Sequence, residues 1–283
     1  MTGPRMPGGP LIDLHAHTTA SDGQHTPAEL FALAEQAGVG TLAVTDHDTV
    51  GGLAACAAEA RARGMRLVPG IEVSAFLNRR EVHLLGHFVE AGEPRLAAFA
   101  RTLRASREAR MEQMVKKLQG LGFPVTMEQV RGLAGDEAQL ARPHVARVLV
   151  ELNYCATTKE AFDRFLGDGR PAFVERFQLG VEDAIALIHG ARGVATLAHP
   201  GTSKVERYEL EALAKAGLDG LEVGHSDHPP SAREKFAGWA KALKLETTAG
   251  SDFHGEQVAP NRRLGSASMS QRELDALEAR RPA

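Results

Sequence analysis

The sequence has only two cysteines, Cys56 and Cys155, far apart and in no CxxC pattern. Cys56 lies in an Ala-rich stretch, 53–62, and reads as a reduced, buried thiol, which fits a cytosolic protein. No apolar run approaches the ~18 residues that a membrane-crossing helix needs. The Gly/Pro-rich start, 1–10, carries one arginine and no apolar h-region, so it reads as a loose tail and not a signal peptide. Internal repeats, low-complexity tracts and a dinucleotide fingerprint are all missing. Neither sign of charge dominates. A formal charge of −3 provides no bulk attraction to nucleic acid or an anionic membrane, so an anionic substrate must be held locally. These absences predict a soluble, cytoplasmic protein with no membrane partner and no stable protein partner.

What is present is an ordinary globular composition, 43% apolar and 24% charged over 283 residues, long enough for a full core. The first part alternates strand and helix. Strands are expected at 11–14, 41–45, 67–74 and 82–89, the last two able to pair as a hairpin. Helices are expected from Pro27, which suits a first helical position, to 37 before Gly38, and at 50–63 before Gly64. The alternation returns with helices at 181–191, 208–216 and 232–243 and strands at 193–197, 220–223 and 245–249. Between the halves no strand is evident. Leu96, Phe99, Leu103, Met111, Met114 and Leu118 recur at helical spacing, and shorter helices follow near 127–133, 144–152 and 159–165. The expected organisation is an α/β body, 1–92 and 170–283, with an all-helical insertion, 93–169, packed over the active site.

Repeated βα units predict a parallel sheet, open or closed into a barrel, whose functional residues follow the strands. The unusual polar residues fall at those places. His15 and His17 are two apart on an extended chain, so both rings can reach one cation. Asp22 follows in a Gly-assisted turn. His47 stands between Asp46 and Asp48, which are able to orient it. Glu72, His83, His199, Asp252 and His254 complete the set. Any one of these has a structural explanation. Six imidazoles and three carboxylates together do not, because buried His, Asp and Glu must be paired or bind metal. A multinuclear metal site accounts for them most simply.

The segments DLHAHTTASDG (13–23), TDHD (45–48), GIEVS (70–74), VHLLG (82–86), AHPG (198–201) and SDFHG (251–255) resemble, in order, the motifs of the PHP phosphoesterases. That resemblance implies a distorted (β/α)7 barrel with a trinuclear site. Position by position it implies His15, His17, Glu72 and Asp252 around one ion, and Asp22, His47 and His254 around a second. It implies His83 and His199 around a third, bridged by Glu72. Three divalent ions would bring +6 against −3 from the carboxylates, and the remainder suits a phosphate and an activated water. Mn²⁺ is the first expectation, and imidazole-rich N/O sites also accept Fe²⁺ or Zn²⁺.

Arg142-Pro143-His144 in the insertion offers a fork for phosphate and a nearby imidazole. The resemblance assigns it to substrate. His225 and His228 are candidates for a general acid or a substrate contact. Gly224 stands where the similar subgroup usually has a tyrosine. The motif set and insertion look most like nucleoside 3′,5′-bisphosphate phosphatases, some of which act as 5′→3′ exoribonucleases on short RNA. The implied substrate is a small phosphorylated nucleotide or short RNA. Histidinol-phosphate phosphatase, and a metal-binding accessory module without activity, are the alternatives.

Overall fold

The computed structural model describes residues 9–134 and 140–282; most of the expected N-terminal tail lies outside the described residues. The chain forms two compact units, Met1–Ala97 with Leu179–Ala283, and Ala98–Gln178. The first unit opens with β1 (Leu11–Asp13), α1 (Pro27–Gln36), β2 (Val39–Val44), α2 (Leu53–Arg63), β3 (Arg66–Leu77) and β4 (Arg80–His87). Helix α3 (Pro94–Gly120) leads into the second unit, which holds α4 (Met127–Ala134), α5 (Arg142–Glu151), α6 (Thr158–Ala161) and a π-helical turn, Phe162–Leu166. The first unit resumes with α7 (Val181–Gly190), β5 (Val194–Leu197), α8 (Arg207–Lys215), β6 (Gly220–His225), α9 (Pro230–Leu243), β7 (Glu246–Gly250) and α10 (Gln271–Glu278).

Local chemistry places these elements. Thr26 and Glu29 form a capping box at the start of α1, with Pro27 in its first turn. Gly64 ends α2 in the left-handed conformation, φ 64°. Asn78 and Arg79, at φ 51° and 66°, form the two-residue turn of the β3–β4 hairpin. Helix α10 was not anticipated, although Ser270 and Glu273 form a capping box at its start. No described helix is long and apolar enough to cross a membrane.

The seven strands run in sequence order around one sheet, parallel except that β4 is antiparallel to both its neighbours. The ends of the sheet meet. Leu14 N donates to Ala249 O at 3.0 Å, Asp252 N to His15 O at 2.9 Å and His17 N to Phe253 O at 3.0 Å. These bonds close a distorted barrel. Strands such as β5, buried along its whole length, read as continuous apolar runs because both faces are covered. The second unit has its own core, built on Met111, Met114, Leu118, Val145, Leu149 and Leu166.

The closing seam depends on a missing side chain. A Cβ on Gly250 would stand 2.3 Å from His15 Cβ and 2.6 Å from His15 N. Gly250→Ala should therefore push β7 from β1 and destabilise the fold by about 1–3 kcal/mol, the usual cost of overpacking. A fall in the denaturation midpoint at unchanged m-value checks it.

Candidate metal centre

The closed seam sets the first donors. His15 and His17 follow β1 as alternate residues, and both are fully buried. Asp252 and His254 follow β7, paired to that segment through the bonds just described. Glu72 is not at the end of β3, as the sequence pattern suggested, but midway along it. It sits where β3 leaves β2, next to the isolated bridge His47–Glu72, so it is still at the rim on that side. His83 lies opposite Ser74 on β4. His199 follows β5, and both it and Asp252 have positive φ, 25° and 54°. Such strained backbone persists only where its surroundings hold it, as around a functional site.

Glu72, 1% exposed, is the common neighbour. Its Oε2 lies 3.1 Å from both His15 Nε2 and His17 Nε2, and 3.4 Å from His47 Nδ1. Its Oε1 lies 2.8 Å from His83 Nδ1 and 3.1 Å from His199 Nε2. Asp252 Oδ1 approaches His15, His17 and His254 at 3.2–3.3 Å. Asp22 approaches His254 at 3.4 Å, His17 at 3.7 Å and His47 at 3.8 Å. The charges follow this geometry. Burial opposes ionisation of Glu72 and Asp252, yet the surrounding imidazoles hold both carboxyls well below their usual range. Burial alone would depress His17 and His83, but the carboxylates beside them raise these to about 9 and about 10. Burial dominates at His47, which falls to about 4.

Three sets of donor atoms come within 4.8 Å of one another: His15, His17, Glu72 and Asp252; His17, Asp22, His47 and His254; and His47, Glu72 and His83. His17 and His47 each join two sets. His199 reaches the third only through Glu72. These residues fit divalent cations for a second reason. His17 Nδ1 and Nε2, His47 Nδ1, His83 Nδ1 and Asp252 Oδ1 are buried and make no hydrogen bond of proper geometry, though other donors crowd them. Buried polar atoms are rarely left so. Mixed imidazole and carboxylate donors around a shared point are what such ions require.

Four carboxylates hold these donors in place, and two of them, Glu222 and Asp13, were given no role by the sequence reading. Glu222, fully buried, takes His15 Nδ1 at 2.9 Å and His199 N at 2.7 Å. The imidazoles beside it draw its carboxyl down to about 2 against the effect of burial. A carboxylate inside the apolar run Leu221-Glu222-Val223 was the available signal. Asp13 accepts from Ser251 N at 2.8 Å and Gly265 N at 2.9 Å, tying β1 to the far end of the chain. Asp46 does not orient His47; it accepts from Thr18 N, Thr18 Oγ1 and Ser21 Oγ at 2.7–2.8 Å, and so shapes the turn that carries Asp22. Asp48 accepts from Ser74 N at 2.9 Å.

The four remaining candidates have other surroundings. His225 Nδ1 accepts from Asp227 N at 3.0 Å, which leaves its proton on Nε2, 3.3 Å from Asp252 Oδ2. His228 Nδ1 donates to Val223 O at 3.1 Å and Nε2 accepts from Gly201 N at 3.2 Å. Both nitrogens of each ring are engaged in these hydrogen bonds. A Cβ on Gly224 would lie 2.6 Å from Ala249 Cβ, so no tyrosine fits there without a shift. Arg142 and His144 belong to the second unit. Arg142 Nη1 donates to the exposed Asp168 at 3.0 Å, and His144 Nδ1 accepts from Ala141 N at 3.1 Å.

Beside Asp22 and His254 lies a cavity of about 400 Å³, also walled by Asp227, Pro260, Asn261 and Arg262. Arg262 donates to Asp252 Oδ2 and, at 2.8 Å, to Asp227 Oδ2.

The geometry has close parallels. Residues 13–126 match the PHP domain. A 5′-3′ exoribonuclease of Haemophilus influenzae is 35% identical over 246 residues, covering 86% of this chain and 89% of its own. A 3′,5′-nucleoside bisphosphate phosphatase of Chromobacterium violaceum is 36% identical over 247 residues, covering 86% and 87%. A crystal structure from Bifidobacterium adolescentis, described as a metal-dependent phosphoesterase, is 29% identical with a TM-score of 0.75, covering 98% of this chain and 99% of that one.

Glu222 supplies a test free of any assay of activity. Glu222→Gln keeps the shape but removes the charge that orients His15. Metal affinity, measured by competition with a chelator, should fall about 10- to 100-fold, as when other outer partners of ligating histidines are changed.

Proposed function

This chain belongs to the PHP family and is a hydrolase of phosphoric esters, and from that premise we propose that it removes the 3′-phosphate of nucleoside 3′,5′-bisphosphates. Short oligoribonucleotides, shortened from the 5′ end, are the second substrate of the same site. The observation that carries the reading is the set of three overlapping donor groups on the barrel rim, two of them sharing Glu72 and each linked to the next by His17 or His47, in a chain so similar to relatives named for nucleotide and RNA hydrolysis.

Divalent cations, taken as three with Mn²⁺ first, supply Lewis acidity toward water and toward the phosphoryl oxygens when bound. His15, His17, Glu72 and Asp252 hold the first; Asp22, His47 and His254 the second; His83, His199 and Glu72 the third. The other side chains position these. Glu222 fixes the ring of His15 and the backbone of His199. His225 donates to Asp252 Oδ2 and so turns Oδ1 toward His15 and His17. His228 ties the end of β6 to the His199–Gly201 turn. Each of these three acts through another residue. Burial keeps bulk water from His15, His17, Glu72 and Asp252, so charges there act at short range in a low dielectric.

Arg142 and His144 are proposed to grip the substrate. A guanidinium binds phosphate through two parallel hydrogen bonds, and the partner Arg142 now has, Asp168, is 84% exposed and readily given up.

Two experiments test this. The purified protein with Mn²⁺ should hydrolyse adenosine 3′,5′-bisphosphate with a higher kcat/KM than histidinol phosphate, and His17→Ala should lose metal and activity together. A preference for histidinol phosphate, or metal-loaded protein inert toward every ester, would sink the proposal. Arg142→Ala should retain its metal and raise KM about 10-fold, the loss of one charge-assisted contact. Unchanged kcat and KM would remove Arg142 from the site.

A further inference from the structure

One arginine and no lysine stands on the wall of the 400 Å³ cavity. The guanidinium of Arg262 is shared by two carboxylates with different surroundings. Nη1 donates to Asp252 Oδ2, inside the donor cluster, and Nη2 donates to Asp227 Oδ2 at 2.8 Å. Asp252 is 4% exposed and Asp227 is 39% exposed. An ion pair open to solvent contributes little and exchanges readily, whereas phosphate takes two parallel hydrogen bonds from a guanidinium. Asp252 therefore fixes the arginine in place, while Asp227 occupies a position that another anion can take. Asp227 can leave without unfolding its loop, because its backbone N–H is separately anchored on His225 Nδ1 at 3.0 Å.

Position decides which anion. A single carboxylate separates the arginine from the imidazoles: Asp252 Oδ1 lies 3.2 Å from His15 Nε2 and 3.3 Å from His17 Nε2, and Oδ2 receives the arginine. A phosphate among the imidazoles and an anion on Nη2 of Arg262 are therefore separate groups. In one substrate they are joined by a few bonds. Val258, Ala259 and Pro260 leave an apolar stretch of wall for what joins them.

The geometry points to Arg262 as the specificity residue for the second, non-reacting phosphate of the substrate, the 5′-phosphate of a 3′,5′-bisphosphate, which binds by displacing Asp227. This deepens the nucleotide reading above and rests on it. Asp227 then acts as an internal competitor that keeps the subsite neutral until a substrate with two phosphates arrives.

The test measures binding of adenosine 5′-monophosphate by calorimetry to the Mn²⁺-loaded protein, with saturating inorganic phosphate filling the reacting position. Arg262→Ala should weaken this binding about 10-fold or more, as loss of a charge-assisted fork does. Asp227→Asn, which frees the guanidinium, should tighten it several-fold. Opposite signs at the two ends of one ion pair are the signature of competition. If the pair only braced Asp252, both substitutions would weaken binding. That result, or an unchanged affinity in Arg262→Ala, overturns the proposal. Turnover of adenosine 3′,5′-bisphosphate by the wild type is read separately. If turnover is missing while nucleotide binding still depends on Arg262, the phosphatase reading fails and the subsite stands.

Discussion

The structure is organised around one buried carboxylate. Glu72 is 1% exposed, and a lone charge so placed is costly to desolvate. It is tolerated because five imidazoles from four other parts of the barrel stand within 3.4 Å of its two oxygens. The segment after β1 contributes two, the ends of β2 and β5 one each, and β4 the fifth. On β4 a shift of one residue would turn His83 to the opposite face, since successive side chains on an extended strand alternate. The charge at the centre thus constrains the register of the β3–β4 hairpin and the path of the chain as it leaves β1, β2 and β5.

The outer ring of carboxylates completes that constraint. Glu222 holds one histidine by its ring and another by its backbone, Asp13 clasps the far end of the chain, and Asp46 shapes the turn of Asp22. Each is a local cost of burial offset by two or more hydrogen bonds. Together they explain how His199 and Asp252 keep backbone conformations that L-residues seldom adopt. The flanking structure has few alternatives open to it.

The donors were legible in the sequence because each sits in a short pattern whose geometry is local. His15 and His17 share a side by strand alternation alone. Helices with clear caps, such as α1, were equally plain, and the repeated βα units announced a mostly parallel sheet. What escaped depends on distant partners. Glu222 meets His15 across 207 positions, and nothing near it in the chain announces that meeting. The antiparallel pairing of β4 with β5 is likewise a tertiary fact, whereas its hairpin with β3 was expected. Tertiary too are the partners of His225 and His228, whose ring nitrogens meet Asp252, Asp227, Val223 and Gly201.

Those partners bear on how the site divides its labour. Among the histidines that crowd Glu72, His17, His47 and His83 leave nitrogens without hydrogen-bond partners, whereas both nitrogens of His225 and His228 are engaged. Glu222 and Thr202 engage the rings of His15 and His199 on the nitrogen away from Glu72, so those two are oriented as well as close to it. His225 and His228, hydrogen-bonded on both nitrogens, form part of the frame around Asp252 and the His199–Gly201 turn. Arg262 lies at the boundary, with one hydrogen-bonding edge on the frame and the other on a replaceable partner in the cavity. Selectivity is best built at such a boundary, where a side chain is held firmly enough to be in position and loosely enough to exchange its partner.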